Sequence, residues 1–304
     1  MLRLVTLTAV IFSFLIPLTY AVPQDVSAAT DGHEASEGKT HPVPPKKEST
    51  GNTKVQSLLR DARQQIFRAQ YDMALKLLET YLQHSSHGKV RPLLQFYVID
   101  AIGRIHLRIK QDPDGAIKFF SQFAKDGRLS DAEHDIIQGW ISAAKEWKAL
   151  GKMPVDIHDA SKLYEIGKKY YESGLKKQKF VMDSAGSADF SISATYLVPF
   201  TVHFDKDARI EEVLYMMGDI RRRTWYDNEF WSENFYLIEV IRRFPNTPIA
   251  IKAYTALDED VHFGYTGSSG DNTPRSWLEL LKEFKDMAEK GKEPAVEPIP
   301  SRIN

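Results

Sequence analysis

Asp72-Met73-Ala74-Leu75-Lys76-Leu77-Leu78, Asp114-Gly115-Ala116-Ile117-Lys118-Phe119-Phe120 and His158-Asp159-Ala160-Ser161-Lys162-Leu163-Tyr164 align without a gap, and their shared alanines stand 42 and then 44 residues apart. In each, a small Ala suits a close approach of two helices, a Lys two positions on faces water, and two large side chains follow. The apolar rhythm continues to Tyr81 and Phe123. This reads as an amphipathic second helix recurring in a helix-pair repeat. Another helical stretch precedes each segment, over Val55 to Ala69, Pro92 to Lys110 and Asp131 to Leu150. Pairs that cannot bury their own faces must stack on neighbours, so the pattern predicts an all-α solenoid.

Outward from the repeats the composition changes. Val22 to Thr53 contains no Leu, Ile, Met, Phe, Tyr or Trp and collects Pro23, Pro42, Pro44 and Pro45. It cannot bury a core, so residues 22–53 are expected to be a disordered linker. Before it, Arg3, the apolar run Leu4 to Leu18 broken by Thr6, Thr8 and Ser13, and small residues at Thr19 and Ala21 form a secretory signal pattern over residues 1–21. A membrane span wants roughly 20 apolar residues, so a cleaved signal is expected, with an uncleaved inner-membrane anchor as the alternative. After cleavage no stable membrane span is expected. That address implies the periplasm, or secretion from a source that is not Gram-negative. At the other end, residues 291–304, with Pro294, Pro298 and Pro300, read as a disordered tail. The folded body is expected over residues 54–290.

The repeats resemble the tetratricopeptide-repeat family. Trp140, Ala143-Ala144 and Gly151 match the first half of its pattern in the third repeat. In the fourth, Leu214, Met217-Gly218 and Ile241-Arg242-Arg243-Phe244-Pro245-Asn246 match both halves, while Leu58, Ala62 and Ala74, and then Ile99, Gly103 and Ala116, carry the first two. The resemblance covers residues 55–262 and implies a right-handed helix-pair solenoid of about nine to ten helices. Periods of 42 and 44 exceed the family's usual 34, which implies lengthened helices or loops. Tyr236 to Pro248 is also similar to repeats of outer-membrane assembly lipoproteins, but those are anchored through a cysteine that this chain lacks.

Between residues 176 and 206 the pattern breaks into a connector. Phe190, Ile192, Ala194, Tyr196 and Val198 alternate as a strand would, yet Pro199 and the lack of a partner strand favour a helix or an extended segment. Beyond the fourth pair, Thr247 to His262 reads as a helix. Pro274 to Lys290 reads as a last amphipathic helix, with Thr273 as its N-cap.

The 304 residues include no cysteine, which removes disulfides, thiol catalysis, thiolate zinc, iron–sulfur clusters and covalent haem. With 40 Lys and Arg against 41 Asp and Glu, the formal net charge of −1 argues against a nucleic-acid partner. His84 and His87 stand three apart without a third ligand nearby, and Asp258, Glu259 and Asp260 ahead of His262 read as a solvated helix end. The basic and aromatic stretch from Arg221 through Trp225, Tyr226, Phe230, Trp231 and Phe235 falls at helical spacing and reads as packing rather than base stacking. The loop 262–274 is the most unusual stretch. Gly264, Thr266, Gly267, Ser268, Ser269 and Gly270 offer amides and hydroxyls ahead of a helix, as a flexible turn or a concave anion site.

The resemblance to tetratricopeptide repeats places the first helix of each pair on a concave surface. Arg63, Arg104, Lys145 and Asp219 follow the small central residues, and Arg108, Lys148, Arg222 and Arg223 stand one turn on. A basic groove there would suit an acidic peptide or protein surface. The expectation is a non-catalytic exported adaptor that binds protein segments in a cell-envelope complex, with no cofactor and no catalytic or metal-binding residue. The alternative is a soluble accessory of solute uptake, similar to helical-repeat components that associate with substrate-binding proteins.

Overall fold

A computed structural model describes residues 50–85, 92–126, 129–181, 183–224, 234–268 and 270–290. The expected signal, most of the linker and the tail lie outside these residues. Among the described residues there are eleven α-helices, one more than the upper expectation, and one two-stranded hairpin.

Helices α1 (Thr50–Phe67) and α2 (Tyr71–Ser85) form a hairpin whose turn holds Ala69 at φ 56°. Helix α3 (Pro92–Arg104) runs without a break into a π-helical segment, Ile105–Ile109. Helix α4 (Pro113–Phe123) follows, capped by the Asp112 carboxylate, which accepts from the Gly115 amide at 2.8 Å. Helix α5 (Asp131–Leu150) opens on a reciprocal capping box between Ser130 and Glu133 and stops at Gly151. Next come α6 (Ala160–Lys177), capped by Asp159, then α7 (Ser187–His203) and α8 (Ile210–Arg223). The chain ends in α9 (Phe235–Arg243), α10 (Pro248–Tyr265), the hairpin β1 (Thr266–Gly267) and β2 (Gly270–Asp271), and α11 (Arg275–Lys290). No helix among the described residues is long and apolar enough to cross a membrane.

The aligned segments fall on the first turns of α2, α4 and α6. Ala74 and Ala116 are fully buried, while Ala160 is half-buried at the start of α6; Lys76, Lys118 and Lys162 are exposed. The pairing departs from the repeat reading at α6, which lies along α7 rather than along α5. Helix α11 also starts later than expected. The Pro274 carbonyl accepts its first helical bond, from Leu278, while the Thr273 hydroxyl turns back to Asp271.

The expected connector is instead the most enclosed helix. Helix α7 packs against α3, the π segment, α5, α6 and α8, and twelve of its residues are buried. Phe190, Ile192, Ala194 and Tyr196 are each 0% exposed, but so is Ser193 between them. Every residue from Ser187 to Leu197 is buried, so this stretch has no wet face and period 3.6 leaves no trace in its sequence. Some of its polar groups are answered, Ser193 donating to the Gly167 carbonyl at 2.7 Å and Thr195 to the Ser191 carbonyl at 2.8 Å, while the Ser191 hydroxyl is buried without a partner among the described residues.

Helix α6 approaches α7 through two glycines one heptad apart. A Cβ on Gly174 would stand 2.7 Å from the Phe190 ring, and one on Gly167 would strike Leu197. Gly174→Val should therefore destabilise the fold by about 2 kcal/mol in urea unfolding, because the ring has no space to retreat. Gly139→Ala, on α5 with nothing within 4 Å of the added carbon, should instead be neutral or stabilising by up to about 1 kcal/mol. Equal effects at the two glycines would refute the tight seam.

Candidate functional site

The π-helical segment reshapes one side of the molecule. Its signature is the Lys110 amide donating to the Ile105 carbonyl at 2.9 Å, five residues back, followed by Asp112 donating to His106 at 2.8 Å. Such insertions widen a helix locally and recur at functional sites. Here the widening sets His106 against the first turn of α4. The His106 residue is 8% exposed, and a Cβ on Gly115 would come within 2.8 Å of its Nδ1. That Nδ1 is buried without a hydrogen-bond partner, and the nearest carboxylate oxygen, on Asp112, lies 3.9 Å away. Burial pulls the imidazole below its ordinary pKa range, outweighing Asp112, so the ring is neutral at pH 7.

His106 forms part of the wall of a half-open cleft of about 530 Å³ between α2, the π segment and α4. Leu82, Phe119 and Phe123 supply its apolar surface. The Phe119 ring lies 6.4 Å from the imidazole at 24° and 6.0 Å from Phe123 at 14°. Glu79 reaches in from α2. Among the described residues its carboxylate has no hydrogen-bond or ion-pair partner, and partial burial raises its pKa. Lys118 and Asp126 also line the cleft. Lys118 was aligned with two outward-facing lysines; it is exposed, yet it borders this cavity. An ion pair between Lys110 and Asp72 ties the end of the π segment to the start of α2.

The seven basic residues expected to form a groove are distributed over several polar clusters. Arg63, on α1, stacks over the Tyr97 ring at 4.8 Å and donates to its hydroxyl at 3.2 Å. Arg104 is half-buried and faces the field of Asp100, and Arg108 is half-buried in the π segment. Lys145 is exposed on α5, and Lys148 pairs with Asp114 at 2.6 Å.

Arg222 and Arg223 enter an internal network. Arg222 donates to Asp260 at 3.1 Å and to Glu259 at 2.7 Å, with Asp219 at 3.9 Å. Arg223 donates to Asp219 at 2.6 Å and to Gln178 at 3.2 Å, and the Tyr171 hydroxyl donates to Asp219 at 2.7 Å. Asp219 is 1% exposed. Charges met by internal carboxylates contribute little attraction for an outside acid. The acidic triplet 258–260 thus holds two partners of Arg222, which sequence spacing could not connect.

The 262–274 loop also turns its donors inward. Asp271 accepts from the Thr273 amide at 2.9 Å and from its hydroxyl at 2.5 Å, and its other oxygen lies 2.6 Å from His262 Nδ1. These contacts, Thr273 foremost, hold the Asp271 carboxyl below the usual range. His262 Nε2 faces Asp258 at 3.7 Å. Gly270 alone of Gly264, Gly267 and Gly270 takes a positive φ, 99°. Thr266 donates to the His262 carbonyl, and Ser268 is exposed; Ser269 lies outside the described residues. An anion entering here would meet a carboxylate already seated.

His84 Nδ1 donates to the Thr80 carbonyl, 2.8 Å away, and His87 lies outside the described residues, as do Trp225, Tyr226, Phe230 and Trp231. Phe235 is exposed, while Leu237 and Ile241 are buried. Among the described residues no group of three or more His, Asp or Glu side chains could hold a metal ion.

Comparison with family models, curated proteins and solved structures finds no match to this chain. The likeness to tetratricopeptide repeats is therefore one of residue pattern.

Proposed function

We propose that this chain is a non-catalytic binding module of the cell envelope, an adaptor that seats a segment of a partner protein in the cleft between α2, the π segment and α4. The carrying observation is the cleft itself: a preformed concavity whose wall includes the His106 imidazole, with a buried Nδ1 lacking a hydrogen-bond partner, and the Glu79 carboxylate, which has no partner among the described residues. The all-helical body suits a scaffold, and the signal pattern of residues 1–21 suits export to the periplasm. An acidic partner on the α1 and α3 side would use Arg63, Arg104 and Arg108. The second reading, a solute-uptake accessory, draws on the cleft volume of about 530 Å³, a size that small-molecule sites commonly have.

Photo-crosslinking tests the adaptor reading. A crosslinking residue at Gln122, exposed at the cleft, should capture a discrete partner in the native envelope. The same group at Lys162, exposed on α6, should not. Capture from Lys162 alone, or identical patterns from both, would overturn the assignment of the cleft as the docking site.

A further inference from the structure

We infer that the cleft between α2, the π segment and α4 is built for an organic ammonium carried on an apolar stem, the chemistry of a lysine side chain or of a free aliphatic or aromatic amine. This rests on the adaptor reading and names what the cleft would hold. Three features of the wall agree on it. Glu79 supplies a partly desolvated carboxylate with no partner among the described residues, and a cation is the group that would satisfy it. Phe119 and Phe123, both half-exposed, offer aromatic faces that attract cations and also cover methylene groups.

The third feature is the imidazole of His106. Burial keeps it neutral, so it does not repel a cation. The residue lines the cleft while its Nδ1 lies on the side of Asp112 and the first turn of α4. Lys118 is exposed and can carry its ammonium out into water while its stem shapes the rim. An anionic ligand would instead have to approach Glu79, and a purely apolar one would leave that carboxylate desolvated and unpaired.

The test is titration of the full chain, observed by calorimetry and by amide chemical shifts, with 2-phenylethylammonium, 2-phenylethanol and phenylacetate. A peptide amide carrying one lysine and its ε-acetylated form complete the set. The ammonium compounds should bind at least tenfold more tightly than the alcohol, the carboxylate and the acetylated peptide, with shifts centred on Glu79, His106, Gly115 and Phe119. Glu79→Gln should abolish the preference for ammonium over alcohol while keeping the melting temperature, and Phe119→Leu should weaken all ligands severalfold.

Tighter binding of the lysine peptide than of the free amine assigns the ammonium to a partner's side chain, and the reverse assigns it to a small molecule. Equal binding of ammonium and alcohol, or an unchanged preference in Glu79→Gln, overturns the inference. That result leaves the adaptor reading standing if crosslinks from Gln122 still capture a partner, whereas loss of those crosslinks with ammonium selectivity intact removes the adaptor reading alone.

Discussion

Arg222→Met should cost about 3 kcal/mol of folding stability, measured by urea unfolding at pH 7. The Arg222 side chain is 12% exposed and serves Asp260 and Glu259 directly, with Asp219 at 3.9 Å. Removing it leaves Asp260, whose pKa burial already raises, without its cation, and leaves Asp219 to Arg223 and Tyr171. Breaking a buried pair by deleting one partner leaves an uncompensated charge, which is why the cost is several times that of an exposed pair. Glu259 supplies the contrast. Its side chain is 60% exposed, so Glu259→Gln should change stability by no more than about 0.5 kcal/mol. If the two substitutions cost the same, the network is a surface one and the burial argument fails. The sum of Arg222→Met and Asp219→Asn should also exceed their double variant, since both act on one network.

The second large effect is a pH dependence seated at Asp100. This carboxylate on α3 is 3% exposed and accepts from the Trp140 indole at 3.3 Å and the Ser187 hydroxyl at 3.0 Å, joining α3 to α5 and α7. Desolvation pushes its pKa up to about 6, against the opposing field of Arg104 and the two hydrogen bonds. Because the folded pKa lies above the unfolded one, the folded state binds more protons between about pH 4 and pH 6. Stability therefore falls as pH rises through that window and is level above it. A rise of about two pKa units corresponds to about 3 kcal/mol. Asp100→Asn keeps an oxygen for the indole and an amide for Ser187, and it has no charge to bury. The variant should match the wild type near pH 4 and exceed it by up to about 3 kcal/mol at pH 7. A difference that stays constant from pH 4 to pH 7 would show that ionising Asp100 costs the fold nothing.

What could be read from sequence follows from how local each feature is. The second helices of the aligned segments announced themselves because Ala74 and Ala116 recur inside an amphipathic stripe, and α2 and α4 each have one wet face. Helix α7 hid for the opposite reason: Ser191, Ser193 and Thr195 are buried with their apolar neighbours, so the only rhythm left to see was the alternation that imitates a strand. Gly167 and Gly174, which form the seam, carried no signal of their own, because Leu197 and Phe190 across it belong to another helix.

The cleft was not legible at all. It joins Glu79, His106 and Phe119 from three elements, and the π insertion that orients His106 changes hydrogen bonding rather than residue type. The basic residues were read as one exposed groove, yet Arg222 is nearly buried and the carboxylates that meet it arrive from a helix 37 and 38 residues downstream. A reading of one helix face counts charge but not its neutralisation.

Enclosure of α7 also governs how this chain can assemble and be cut. In a simple stack of repeats each unit touches only the next, so folding can start anywhere and a unit can be deleted with modest loss. Here residues 187–203 complete the packing of helices that precede them by up to about a hundred positions, and of α8 after them. During synthesis the apolar faces of α3, α5 and α6 must wait for α7 to emerge. A chain ended before Ser187 would present those faces to solvent and invite aggregation. Packing of this kind predicts that α3 through α8 unfold as one unit, and that shortening the chain repeat by repeat within it exposes core.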